Sequence, residues 1–141
     1  MEEKMNESTP QRPDGERTVN APLVDIDLPK FMEQIKTEAA WLNGSRNAIT
    51  VFKSDHLRIV LIALHSGAEL PTHTAEGMIS VQVLQGRLRF GTEEESVQLD
   101  QGQMVALHTG IPHSVLALEE SMFLLTLVPS PKQDILSRSG H

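Results

Sequence analysis

Residues 46–128 form a series of short apolar runs separated by turn residues, and this spacing constrains the fold more than any other feature. Residues 87–90 alternate between arginine and a large apolar side chain, which is typical of a strand with one buried face. Residues 57–65 are apolar over most of their length, which is typical of a strand covered on both faces. The pattern predicts an all-β domain of antiparallel strands, folded as a sandwich or a barrel.

Turn residues separate the predicted strands. The strands cover residues 48–52, 57–65, 78–84, 87–90, 97–99, 104–107, 113–118 and 122–128. Residues 91–95 read as the tip of a hairpin, because a glycine is followed there by polar residues between two strands. Residues 109–112 contain glycine and proline and predict another turn.

A helix is predicted before the strands. Asp27 is placed to cap it, and Pro29 lies in its first turn. Apolar residues then recur at spacings of three and four, at Leu28, Phe31, Met32, Ile35, Ala39 and Leu42. Gly44 is expected to end the helix in a left-handed conformation. We therefore expect one helix, packed outside the sheet, within an N-terminal extension over residues 21–45.

The two ends of the chain differ in composition from the region between them. Residues 1–20 are polar and contain Pro10, Pro13 and Gly15, so a disordered tail is predicted. Residues 129–141 read as a C-terminal tail, in which Ile135 and Leu136 could dock a short turn. The predicted organisation is a tail, the extension, a β domain over residues 46–128 and a second tail.

The charge and composition exclude several classes of partner. Nineteen acidic against twelve basic residues give a net charge of −7. Nucleic acids and anionic membranes bind clustered positive charge, so neither is expected as a partner. No apolar run is long enough to cross a bilayer. The chain has no cysteine, which fits a reducing compartment, and its beginning lacks the apolar core of a signal peptide, so a cytoplasmic location is expected.

Two stretches carry glycine and histidine at regular positions. The first contains, in order, Gly67, His73, Ala75 and Gly86, and the second contains Gly102, His108, Gly110 and His113. In this order, with a hairpin between them, they resemble the two motifs of small single-domain cupins (RmlC-like, cupin type-2 conserved barrel). The resemblance covers residues 46–128 and implies an antiparallel jelly-roll β-barrel.

The resemblance also implies a ligand set for a metal. In metal-binding cupins the first motif supplies two histidines and a glutamate, and the second supplies a third histidine. His73 and His113 match two of these positions, whereas Ala75 and Ile79 stand at the other two. The resemblance thus implies at most a weakly held divalent metal (Zn, Fe, Mn or Ni) with an incomplete ligand set. His108 and His65 are weaker candidates for a further ligand.

Strand alternation predicts what surrounds the two histidines. If His73 and His113 point into the barrel, so do their neighbours two residues away, and the predicted pocket residues are Ala75, Ile79, Val81 and Val115, with Gln82 beside them. By strict alternation Gln82 faces away from the pocket, and we expect it to bond a neighbouring strand, a dimer mate or, after a bulge, the pocket. Apolar walls with few polar groups are typical of a small-molecule site and equally of a barrel core.

Three functions are compatible with these residues. The first is a non-enzymatic barrel that binds a small ligand, with at most a weak metal, and forms a homodimer. The dimer is expected from the resemblance and because residues 57–65 and 122–128 are apolar on both faces. The alternative is a metal-dependent cupin enzyme of dioxygenase or isomerase type that uses His73 and His113. The third is a structural or regulatory domain that acts through its tails.

Overall fold

The computed structural model describes residues 19–131, and the predictions for residues 1–18 and 132–141, including the docking of Ile135 and Leu136, lie outside this range. Within it, two helices precede nine strands. The helices are α1 (Leu28–Ile35) and α2 (Ala39–Asn43), and the strands are β1 (Arg46–Lys53), β2 (Arg58–Leu64), β3 (Glu69–His73), β4 (Gly77–Gln85), β5 (Arg87–Thr92), β6 (Ser96–Asp100), β7 (Met104–Leu107), β8 (His113–Ala117) and β9 (Ser121–Pro129). None of the helices in the described part of the chain is long and apolar enough to cross a membrane.

The strands form two antiparallel sheets, which confirms the all-β prediction. One sheet has five strands in the order β1-β2-β9-β4-β7, and the other has four in the order β3-β8-β5-β6. The hairpin between β5 and β6 is closed by a hydrogen bond from the Thr92 amide to the Glu95 carbonyl (2.8 Å). This order interleaves strands that are distant in sequence, as jelly-roll folds do.

An apolar cluster fills the space between the two sheets. Its buried members are Leu64, Ile79, Val81, Val83, Leu88, Phe90, Leu99, Val115, Ala117 and Phe123. The alternation predicted for β5 is present, because Leu88 and Phe90 are buried whereas Arg87 and Arg89 are exposed. The interior is therefore built from the inward-facing half of each strand.

A second apolar cluster lies on the outer side of the five-stranded sheet. Ile35 from α1 and Trp41 from α2 pack there against Ile49 of β1 and Leu61 of β2. Strand β2 consequently has one face in the interior and the other under the helices. The prediction that this strand is covered on both sides is confirmed, and the N-terminal extension provides the second cover.

The predicted single helix is in fact two short helices. Its start is as expected, since the Asp27 side chain accepts a hydrogen bond from the Lys30 amide (3.2 Å). The continuation to Gly44 is wrong: α1 ends at Ile35, and Gly44 is extended (φ −132°) rather than left-handed. The break follows from Asn47 on β1, whose side-chain amide donates to the Ile35 carbonyl (3.0 Å) and to the buried Glu38 carboxylate (2.9 Å).

Gly86 occupies a position that other residues would fit poorly. Its φ is +92°, in the left-handed region that side chains disfavour. A Cβ at this position would also overlap Ser121 and the Glu120 carbonyl. The Ser121 hydroxyl hydrogen-bonds the Arg87 amide (2.9 Å), so this tight approach fastens the start of β5 to the start of β9.

Candidate functional site

Strands β3 and β8 bring His73 and His113 together at one end of the four-stranded sheet. The two residues are direct partners in the antiparallel register, after a shift between Leu70 and His73. Their ring centroids are 4.4 Å apart, and the ring planes are tilted by 56°. We call these two side chains the histidine pair.

Both rings of the histidine pair are held by backbone carbonyls. Nδ1 of His73 lies 2.9 Å from the Pro71 carbonyl oxygen, and Nδ1 of His113 lies 3.0 Å from the Ile111 carbonyl oxygen. A carbonyl can only accept a hydrogen bond, so each Nδ1 carries the proton and donates it. In the neutral ring Nε2 is then an acceptor with a free lone pair, the form in which imidazole binds metals and hydrogen-bond donors.

The two rings differ in their surroundings. His73 is exposed, whereas His113 is 4% exposed and stacks at 5.5 Å on the Phe90 ring. Burial lowers the pKa of His113 below its ordinary value, the bond to the Ile111 carbonyl opposes this change, and the nearby His73 adds to the lowering. The buried ring is therefore neutral at pH 7, with its tautomer set by the backbone.

His65 is placed away from the histidine pair. Its ring stacks on Trp41 with centroids 3.4 Å apart, and its Nε2 hydrogen-bonds the Trp41 carbonyl (2.9 Å). Two residues later, the Gly67 amide bonds the carbonyl of Ala117, at the far end of β8 from His113. Four residues of strand separate these ends by about 13 Å. His65 thus fastens α2 to the sheet and does not supply a third ligand.

A third metal ligand is not assembled in the described part of the chain. His108 is exposed after β7, and no group of three or more histidine, cysteine, aspartate or glutamate side chains within residues 19–131 is arranged to hold a metal ion. Resident transition metals usually have three or more protein ligands. The two imidazoles fit a weakly held divalent ion, completed by water or a bound ligand, and do not fit a tightly held one.

The predicted pocket residues divide into two groups. Ile79, Val81 and Val115 are buried in the apolar cluster between the sheets, and Ala75 packs against that cluster while half-buried. These four form a packed wall. Gln82 does not line the pocket. It faces the outer side of the sheet, as strict alternation predicts, and its Nε2 donates to the Gly102 carbonyl (3.4 Å), just before the neighbouring strand β7.

A small cavity that the sequence did not predict lies beside Phe90 and Thr92 of β5. Its volume is about 130 Å³, and it is lined by Phe90, Thr92, Glu95, Val97, Val105, Ala106 and Leu107. Phe90 stacks on the His113 ring, and Thr92 is the register partner of His113 on the neighbouring strand. The lining comes from β5, β6 and β7 and the turn after β5. Local sequence carries no signal for such a cavity, since it depends on which sheet edges meet.

Solved structures identify the class of this fold. The chain matches a cupin-2 domain protein from Shewanella frigidimarina at 15% identity (TM-score 0.60, 73% of this chain and 93% of that one). It matches an RmlC-like cupin from Desulfovibrio desulfuricans at 26% identity (TM-score 0.56, 60% and 83%). A conserved protein of unknown function from Streptococcus pyogenes matches at 21% identity (TM-score 0.61, 83% and 95%).

The chain therefore has a cupin-type fold, and the predicted resemblance is confirmed at that level. No family model matches it, and no curated protein matches it. The likeness reaches no further than the architecture. The chemistry of the site accordingly has to be argued from the histidine pair and its surroundings.

Proposed function

We propose that this cupin-type domain binds a small polar molecule through the histidine pair, with a divalent metal held at most weakly. The observation that supports this is the hydrogen bond from Nδ1 of each ring to a backbone carbonyl, at 2.9 Å for His73 and 3.0 Å for His113. These two bonds leave two neighbouring rings with Nε2 lone pairs. A barrel core that merely tolerated two histidines would have no need to hold both in the same tautomer.

The chemistry of the site indicates the class of ligand. Neutral Nε2 atoms accept hydrogen bonds, so the ligand carries hydroxyl or ammonium donors. The cavity behind Phe90, the ring that stacks on His113, is lined largely by apolar side chains and suits a short apolar part of the same molecule. A divalent ion of the Zn, Fe, Mn or Ni kind would use the same two nitrogens and would supply a charged centre for a ligand oxygen.

Two-bond ¹H–¹⁵N NMR of the imidazole rings tests the proposal on the full, metal-free chain. We expect both rings of the histidine pair to carry the proton on Nδ1. Addition of Zn²⁺ alone should then shift the Nε2 resonances of both rings together, with one ion per chain. A ring with its proton on Nε2, or a titration in which neither ring responds, would overturn the proposal.

Substitutions separate the pair from the other histidines. His73→Ala and His113→Phe should each abolish the Zn²⁺ response, and the phenylalanine keeps a ring against Phe90. His56→Ala is the matched control, because His56 is exposed in the loop between β1 and β2, and this variant should respond like the unmodified chain.

The alternative, a metal-dependent cupin enzyme of dioxygenase or isomerase type, predicts a different result. Protein purified without an affinity tag would then hold a stoichiometric metal that survives dialysis and disappears in both variants. That result would overturn the weak-metal proposal.

A cytoplasmic location stays a prediction, supported by the absence of cysteine from all 141 residues.

A further inference from the structure

Four side chains stand in a row across one end of the four-stranded sheet. His113 of β8 has His73 of β3 as its register partner on one side and Thr92 of β5 on the other. Thr92 in turn is joined to Glu95 by a backbone hydrogen bond across the hairpin (2.8 Å). We call these four residues the terminal row. It extends the histidine pair by a hydroxyl and a carboxylate.

The terminal row faces the space between the two sheets. Leu88 and Phe90 of β5 are buried there, and Thr92 is the next residue of the same alternation. Register partners project from the same side of a sheet, so His113 shares this direction. Glu95 belongs to the same side, because it lines the cavity together with Thr92 and Phe90. The row therefore borders one interior space.

The hydroxyl in the middle of the terminal row is already engaged. Oγ1 of Thr92 donates to the Glu95 carbonyl (3.3 Å) and accepts from the Glu94 amide (3.3 Å) and the Glu95 amide (3.2 Å). These bonds also fix the backbone of Glu95, whose carboxylate takes part in no hydrogen bond or ion pair within residues 19–131. The row thus presents imidazole acceptors at one end and an unpaired anion at the other.

The cavity wall beside the terminal row is apolar. Besides Thr92 and Glu95, the lining of this 130 Å³ space consists of Phe90, Val97, Val105, Ala106 and Leu107. Val97 is 37% exposed there, which is unusual for a large apolar side chain with one face toward the interior. Glu95 is the charged member of this lining, and no lysine or arginine balances it. An apolar wall with a carboxylate at its edge suits a ligand that has both a cationic group and an aliphatic chain.

We propose that the ligand of this site is a short aliphatic amino alcohol, with its ammonium group on the Glu95 carboxylate and its hydroxyl on Nε2 of His113. The aliphatic chain lies along the cavity wall between them. This inference rests on the proposed function, since the histidine pair supplies one of its two ends. An aliphatic amine is protonated at pH 7, and the net charge of −7 attracts cations and repels anions.

The spacing of the terminal row sets the length of the ligand. Thr92 stands between His113 and Glu95, so their backbones are two strand spacings apart, roughly 10 Å. One metal ion cannot bridge that separation, in keeping with the absence of a three-ligand group among the described residues. An extended chain of five carbons holds a terminal nitrogen and oxygen about 7 Å apart. With a hydrogen bond at each end, such a molecule spans the row.

Binding of 5-aminopentan-1-ol, pentan-1-ol and 1-aminopentane to the full, metal-free chain tests the proposal, with the methyl resonances of Val97 and Leu107 followed by NMR. The amino alcohol should bind roughly 5- to 10-fold more tightly than pentan-1-ol, because its ammonium group pairs with a partly solvated carboxylate. It should also bind more tightly than 1-aminopentane, which has no hydroxyl to donate to the imidazole. Equal binding of the amino alcohol and either of the other compounds overturns the proposal.

Substitutions assign the two ends of the ligand. Glu95→Gln keeps the side-chain shape and should abolish the preference for the amino alcohol over pentan-1-ol. Glu94→Gln is the matched control, because Glu94 is exposed on the same hairpin but does not line the cavity, and this variant should keep the preference. His113→Phe should reduce the affinity for the amino alcohol to that for 1-aminopentane.

Two results with these variants overturn the proposal. One is a Glu95→Gln variant that keeps the preference, and the other is a Glu94→Gln variant that loses it to the same extent, which would show a general effect of hairpin charge. The tautomer and Zn²⁺ measurements on the histidine pair are separate. If they succeed while the three compounds bind alike, this inference fails and the proposed function stands.

Discussion

His73 and His113 show how one residue type acquires two roles from its surroundings. Both donate Nδ1–H to a carbonyl two residues earlier in the chain, so their tautomers are set by the same local geometry. One ring is exposed, and the other is buried against Phe90. The buried ring has lost most of its contact with water, which favours its neutral form. The histidine pair therefore combines a neutral, buried acceptor at His113 with a solvent-exposed acceptor at His73.

The lowered pKa of His113 makes the stability of the domain depend on pH. Below the ordinary pKa of 6.5, the unfolded chain binds a proton at this residue while the folded chain does not. The free energy of unfolding should therefore fall as the pH drops below 6.5, by up to about 1.4 kcal/mol per pH unit, until the folded ring is protonated too. The contribution of this residue to the pH dependence fades above pH 7, where the unfolded chain loses this proton as well.

Urea unfolding in EDTA from pH 7.5 to pH 5 measures this effect. His113→Gln removes the titrating group, so its stability should decline less steeply with falling pH than that of the unmodified chain. His56→Gln, in an exposed loop, should keep the original slope. Equal slopes for His113→Gln and the unmodified chain would contradict the assignment of a buried neutral ring.

At the scale of elements, the N-terminal helix shows where local pattern and tertiary contact diverge. The apolar spacing from Leu28 to Leu42 is that of one helix, and the cap at Asp27 forms as the sequence predicts. Asn47 lies on β1 and binds the Ile35 carbonyl together with the Glu38 carboxylate. That contact ends α1 at Ile35. Because Asn47 follows the predicted stripe in a different element, the helical pattern contains no sign of it.

Ile35 and Leu42 belong to the same predicted stripe and should respond differently to truncation. Ile35 is fully buried in the outer apolar cluster, whereas Leu42 is 67% exposed. Ile35→Ala should cost about 2–5 kcal/mol of unfolding free energy, as buried large-to-small changes do. Leu42→Ala should change it by about 0.5 kcal/mol or less, as exposed substitutions do. Equal losses in urea unfolding would mean that α2 packs as the continuous stripe predicts.

Most strands were easier to predict than the helices, although the sequence prediction did not include β3. Residues 87–90 alternate clearly, the turn at residues 109–112 has glycine and proline, and the bounds of β7 agree with the sequence prediction. Each of these signals is local, because side-chain alternation and turn geometry depend on adjacent residues. The pairing of β4 with β9, whose partner residues lie 37 to 52 positions apart in sequence, depends on no such signal.

At the scale of the molecule, we expect the fold to be stable without a metal. The space between the sheets is filled by apolar side chains, and Ile79 belongs to that cluster. In the cupin pattern the position of Ile79 holds a glutamate ligand. Here an apolar side chain occupies it and packs in the interior. Burial of apolar surface then supplies the stability that a structural metal would otherwise provide.

Removal of metal should therefore leave the fold intact. Thermal unfolding in EDTA should match unfolding in untreated buffer. Zn²⁺ at ten times its dissociation constant should raise the free energy of unfolding by about 1.4 kcal/mol, because it binds the folded chain alone. His73→Ala should show no such rise. A large loss of stability in EDTA would contradict a weakly held ion and would indicate a structural one.

The sequence by itself predicted the antiparallel β architecture and the cupin resemblance, and it singled out the two histidines. These features depend on side-chain alternation, turn residues and motif spacing, which are properties of residues near each other in the chain. Tertiary structure decided what those histidines can do. It paired His73 with His113 through the register of β3 and β8, and it separated His65 by the length of a strand. These outcomes depend on which strands meet, and contacts between distant residues are selected by the packing of the whole chain.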